Sequence, residues 1–280
     1  SRADVLYFSR HCSRSRGVGE GSVLTQEIKR QARELCRGQK GLYLVALIYS
    51  FLVTAGGVGG YFLPQGEALT LGLTLVAPAV KLLLFPLSLG FVRALWRVRE
   101  EERARLADLF WFYTAPGRLW RALVLGLCTD VLMSFFSALL SRADGLMIAR
   151  GTGGLGTGLV LTIFSLLAVG FSLFVLLAKY CQALSPRRNP LQSVAASCKA
   201  MRHNFAQVIV LILSFILWIV PPELAGMAAE SYGLWAAIGV RLACSLYLAY
   251  VNSYMGMAQL ILADFILKRR DPDYCPAIEG

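Results

Sequence analysis

Histidine is almost missing from this 280-residue chain: His11 and His203 are the only two. That removes the commonest metal ligand and the commonest general acid–base. The seven cysteines (Cys12, Cys36, Cys128, Cys181, Cys198, Cys244 and Cys275) are scattered with no CxxC pair. Their spacing encodes neither a zinc site nor a dithiol redox pair, and they read as reduced thiols that pack as small hydrophobes. Carboxylates are also few, 17 against 28 lysines and arginines. No pair of them converges with a base or a nucleophile at one depth, so the expectation is a protein without catalytic, cofactor-binding or metal-binding residues. The glycine-rich stretch 151–158 lacks the Lys-Ser/Thr ending of a phosphate-binding loop and follows no strand pattern.

What the chain has in abundance is apolar residues, 56% of the total. They gather into six runs, near 42–63, 71–92, 119–140, 159–180, 205–221 and 234–267. A hydrocarbon core of ~30 Å needs about 20 residues of apolar helix to cross it. The runs show no strand-like alternation, and only helices or closed barrels satisfy their backbone groups in lipid. The expected fold is therefore all-α, a polytopic membrane protein with six transmembrane helices. Pro78, Pro86 and Lys81 interrupt the second run, and the last is longer than a bilayer needs.

A net charge of +11 could suggest nucleic acid, but the cations flank the apolar runs, which argues for membrane topology and against a nucleic-acid partner. From the first flank to the last, Lys and Arg number 9, 0, 7, 2, 5, 0 and 3. This alternation puts both termini on the cytoplasmic side. Residues 1–22 are polar, Arg-rich and aperiodic, and are expected to form a disordered basic tail or an upstream extension added by a mis-assigned start. Residues 23–270 form the six-span domain, and 271–280 a short cytoplasmic tail.

Each odd-numbered run is preceded by an amphipathic segment. Leu24, Ile28, Ala32 and Leu35 share a helical face, with Lys29, Arg30, Arg33 and Arg37 elsewhere and Gly38 placed to end the helix. Leu106, Leu109, Phe110 and Tyr113 make a second apolar stripe, closed by Ala115-Pro116-Gly117. Asn189-Pro190 starts a third, with Leu191, Val194, Ala195, Cys198 and Met201 on one face. The pattern predicts three units, each a cytoplasmic elbow helix followed by a transmembrane hairpin. Such elbows would lie on the inner leaflet, with Lys29, Arg30, Arg33 and Arg37 against anionic lipids.

These segments also carry a family resemblance. The stretches LTQEIKRQARELCRGQKGLYLVALIY, FPLSLGFVRALWRVREEERARLADLFWFY and NPLQSVAASCKAMRHNFAQVIVLILSFILW resemble the opening, the middle and the most characteristic part of the bacterial integral-membrane family known as domain of unknown function 975. The resemblance spans about 24–267 and implies a six-span protein of the bacterial inner membrane. It implies no activity and transfers no site residue.

Four polar residues within the runs are candidate intramembrane sites: Lys81, Asp130, Arg241 and Asn252. Charges in lipid are costly and default to a functional reading. Lys81 and Asp130, of opposite sign and similar depth, could pair in the bundle interior. Arg241, Ser245, Asn252, Gly256 and Gln259 fall on one face of the last run. Such stripes suit helix packing through small residues and hydrogen bonds, and they equally suit a hydrated pathway. Two functional readings follow: a non-catalytic scaffold, partner or envelope-maintenance protein, or a transporter component using Lys81 and Asp130.

Overall fold

The structure, a computed structural model, describes residues 20–58, 67–131, 155–271 and 274. Every regular element among them is helical: α1 (Glu20–Cys36), α2 (Lys40–Val58), α3 (Glu67–Glu101), α4 (Leu106–Phe110), α5 (Pro116–Gly126), α6 (Leu155–Leu184), α7 (Pro190–Glu230) and α8 (Leu234–Arg270). A 3-10 turn, Trp111–Tyr113, follows α4, and a π turn, Leu127–Val131, follows α5. The all-α expectation holds, and α2, α3, α5, α6, α7 and α8 overlap the six apolar runs. Among the described residues, two segments are long and apolar enough to cross a membrane, Ala79–Glu101 and Pro190–Ala229, or three if the bent pair Leu24–Cys36 and Lys40–Ala55 counts as one span. Residues 1–19 and 151–154 of the glycine-rich stretch lie outside the described residues.

Local chemistry sets the breaks. Gly38 adopts φ +79°, open to glycine at no steric cost, and α1 meets α2 there at 102°. Pro116 occupies the first turn of α5. Asn189 caps α7, its side chain accepting from the Leu191 amide at 3.1 Å with Pro190 in the first turn.

Three expectations about the elbows change. The third is not a separate elbow, because α7 runs unbroken from Pro190 through Glu230. No glycine or proline lies between Met201 and Phe205, so nothing parts the amphipathic turn from the apolar run. At 41 residues α7 follows a path of ~60 Å, about twice a hydrocarbon core. Pro221 and Pro222 also lie inside it rather than ending it.

The second elbow has a different buried face. Leu109 and Phe112 are fully buried, whereas Leu106, Phe110 and Tyr113 are exposed. After five residues the helix tightens to about three residues per turn, which moves Phe112 inward and Tyr113 outward.

In the first elbow the buried face is as predicted, but other helices of the chain cover it. Leu24, Ile28 and Ala32 join the same core as Phe215 of α7 and Ala249 and Met257 of α8.

Close approach is bought by small residues at two crossings. A Cβ on Gly90 of α3 would lie 2.1 Å from the Leu109 carbonyl oxygen, so α4 rests on α3 only because residue 90 is glycine. A Cβ on Gly256 of α8 would lie 2.9 Å from a Leu95 methyl of α3.

Candidate functional site

The polar face of α8 binds other helices. Asn252 donates through Nδ2 to Ser50 Oγ of α2 at 3.3 Å. Gln259 Oε1 accepts from the Tyr180 hydroxyl of α6 at 2.7 Å. Gly256 receives α3, and the Ser245 hydroxyl donates to its own helix at Leu242 O, 2.6 Å. Arg241 is half-buried and runs its aliphatic stem past Gly226 of α7. Lys81, expected in the bundle interior, is exposed, and the Asp130 side chain lies outside the described residues. Of the four candidate residues, the structure thus places Asn252 and Arg241 at helix–helix contacts.

Three groups of charged side chains tie helix ends together. Asp264 on α8 is buried and accepts from Arg99 of α3 at 2.9 Å, from Lys268 at 2.9 Å and from the Tyr274 hydroxyl at 3.3 Å. Lys268 lies one turn along the same helix, whereas Arg99 is brought in from α3 and Tyr274 from beyond the end of α8. Burial and the neighbouring carboxylate push the Tyr274 phenol far up, so it remains a donor.

In the second group Arg188 pairs with Asp271. Beside it Gln182 donates to the carbonyl of Arg188 at 3.1 Å and accepts from Ser193 at 2.9 Å. Arg121 of α5 donates to the Pro186 carbonyl at 3.0 Å, which fixes the α6–α7 turn to α5.

The third group has the most buried charge. Arg93 and Arg97, one turn apart on α3, both face Asp108 of α4, at 3.7 and 3.3 Å. All three are buried. Arg97 also lies 3.7 Å from Glu101. The Arg93 and Arg118 guanidiniums each sit 3.8 Å from the Trp111 ring centre. Two groups at that distance cannot share a face, so the indole is held between two cations. Burial raises Asp108 above its ordinary range and outweighs the pull of Arg97 and Arg93 in the other direction. Asp108 Oδ2 has no hydrogen-bond partner among the described residues.

The first elbow is docked by polar contacts as well as by its apolar face. Lys29 donates to the Ser214 carbonyl of α7 at 3.2 Å and lies 4.7 Å from the Phe215 ring centre. Tyr254 of α8 donates to the Lys29 carbonyl at 3.3 Å. Arg30 is bound by Glu27 at 2.7 Å and faces Glu34 at 3.5 Å. Of the four cations expected at anionic lipid, Lys29 and Arg30 thus have partners within the protein. Arg33, 6.0 Å from the Tyr254 ring centre, and Arg37 line a cavity of about 490 Å³ at the α1–α2 bend, walled by Leu42, Trp218, Tyr250 and Tyr254.

Sequence reasoning treated Arg93, Arg97 and Arg99 as topology markers and missed the burial of Arg93 and Arg97 and the pairing of Arg99 with Asp264. Their only signal was position: Arg93 and Arg97 are spaced one turn apart among Phe91, Ala94, Leu95 and Trp96, an unusual setting for solvated charge. Among the described residues no three or more His, Cys, Asp or Glu are grouped to hold a metal ion. What this arrangement can do chemically is hold helix ends in a fixed relation and present two arginines beside an aromatic wall. No protein-family model, no curated protein and no solved structure matches the chain.

Proposed function

We propose that this chain is an integral membrane protein of six spans with both termini cytoplasmic, and that it acts without catalysis, as a scaffold or partner in the bacterial inner membrane. Large apolar side chains exposed on α7 and α8, among them Leu213, Leu217, Leu224, Trp235 and Leu246, support the membrane setting, since a soluble protein rarely leaves so much apolar surface open. The family resemblance of 24–267 fits six spans.

One observation favours a scaffold over a transporter: the polar residues that could line a path, Asn252 and Gln259, are bonded to Ser50 and Tyr180. Ion-paired nodes at the buried Asp264 and Asp108 and at the half-buried Asp271 hold the helix ends together, which suits a fixed platform more than an alternating one.

The test is thiol accessibility in a chain whose native cysteines are replaced by alanine. Asn252→Cys and Gln259→Cys should resist a membrane-impermeant maleimide in right-side-out and inverted vesicles, and react after denaturation. Labelling of both in the native state would support a hydrated pathway and the transporter reading.

A further inference from the structure

We propose that the cavity at the α1–α2 bend binds the phosphate headgroup of an anionic membrane lipid, with Arg33 and Arg37 as its cation pair. The proposal rests on the membrane setting put forward above and adds to it a specific ligand site.

Four observations carry it. First, the acids of α1 do not neutralise the two arginines. Glu27 and Glu34, the acidic residues of α1 nearest to them in sequence, both face Arg30, and among the described residues neither Arg33 nor Arg37 has an ion-pair partner. Guanidinium groups bind phosphate through paired, charge-assisted hydrogen bonds.

Second, the cavity has the right size. A volume of about 490 Å³ falls within the ~300–1,000 Å³ of small-molecule sites, room for a headgroup and the start of its chains.

Third, the rest of the wall is largely aromatic, and Arg33 lies 6.0 Å from the Tyr254 ring centre. Trp218, Tyr250 and Tyr254 line it, and rings with an apolar body and a polar tip suit the boundary between headgroup and hydrocarbon.

Fourth, the wall is continuous with open apolar surface. Trp218 and Tyr250 are themselves exposed, next to exposed Leu217 and Leu246. An acyl chain leaving the cavity has an apolar path along α7 and α8, and a free phosphate would have no use for it.

The site also separates the four cations of the elbow. Lys29 bonds a carbonyl of α7 and the exposed Arg30 is paired with Glu27 and Glu34, so they should contribute little, whereas Arg33 and Arg37 should dominate. General attraction of a basic helix to an anionic surface would weight all four alike.

The experiment uses the full chain in a non-ionic detergent. Binding is measured for phosphatidylglycerol, phosphatidylcholine and inorganic phosphate in mixed micelles, for the native chain and for Arg33→Gln/Arg37→Gln, with Arg30→Gln as control. The native chain should prefer phosphatidylglycerol over phosphatidylcholine at least tenfold. The double variant should lose at least tenfold toward phosphatidylglycerol while melting within a few degrees of the native chain. Arg30→Gln should bind within twofold of native.

Phosphatidylglycerol with brominated chains should quench the native tryptophan emission more than that of Trp218→Phe. Equal losses in the control and the double variant would reduce the effect to general surface charge and overturn the site. Competition by millimolar inorganic phosphate would make it a free-phosphate site and overturn the lipid. Equal quenching with and without Trp218 would remove the acyl path and the proposal with it. A chain that proves water-soluble without detergent would refute the membrane setting itself, a failure distinct from these.

Discussion

Replacing Asp264 should be the most costly single change at the helix ends. Its carboxylate is buried, 3% exposed, and receives Arg99 and Lys268 each at 2.9 Å and the Tyr274 hydroxyl at 3.3 Å. The three partners do not count equally. Lys268, with 47% of its side chain exposed, can turn to water, and an exposed pair contributes about 0–1 kcal/mol. Arg99 is only 17% exposed and is held 5.1 Å from the Trp96 ring centre, so it cannot leave easily. Tyr274 is buried as well.

Removing one member of a buried pair costs ~3–5 kcal/mol because the other charge is stranded. Asp264→Ala should therefore destabilise the protein by about 3 kcal/mol, and Lys268→Ala by less than about 1 kcal/mol. Arg99→Met combined with Asp264→Leu should cost at least about 1 kcal/mol less than the sum of the two single changes, since neither partner is left unpaired. Unfolding by a denaturing detergent titrated into micelles, followed by tryptophan emission, gives all five values. A cost for Asp264→Ala below about 0.5 kcal/mol, or strict additivity of the pair, would refute the reasoning.

Other outcomes follow from the same geometry. Gly90→Ala places a Cβ 2.1 Å from the Leu109 carbonyl and should cost about 1–3 kcal/mol by forcing α4 away from α3, as measured in the same titration. Asp108 titrates above its unfolded value because burial disfavours its charged form. The stability it contributes is therefore present below the ordinary carboxylate range and is lost as pH rises through the higher folded value. Asp108→Asn should flatten that slope above the ordinary carboxylate range, and an unchanged pH profile would count against it. Reporter fusions after Lys40, Arg105, Arg188 and Arg270 should read cytoplasmic, and fusions at Gly66, Gly153 and Glu230 external. Two misplaced reporters in adjacent loops would break the six-span topology.

The helical class was legible in the sequence because apolar run length and the lack of alternation are one-dimensional properties. Local breaks were legible for the same reason. Gly38, Pro116 and the Asn189-Pro190 cap act within a turn or so of their own position, and each marks a boundary in the structure. The missing breaker between 201 and 205 was equally on view, and it is why the third elbow merges with α7. The buried stripe of the second elbow failed at the sequence level because five residues do not hold a helical phase, and the 3-10 turn that follows changes it.

What covers a face, and what a charge meets, is a matter of long-range pairing, and only the tertiary structure decided it. Residues 99 and 264 are far apart in the chain, as are 29 and 214 and 50 and 252. No local pattern says that Arg93 and Arg97 turn inward to Asp108 rather than out to water, because a guanidinium on a helix face looks the same in sequence whether solvent or a carboxylate stands opposite. The sequence by itself determined the helices and where several of them stop. The packing of those helices decided which cations are structural and which two, Arg33 and Arg37, are left facing a cavity.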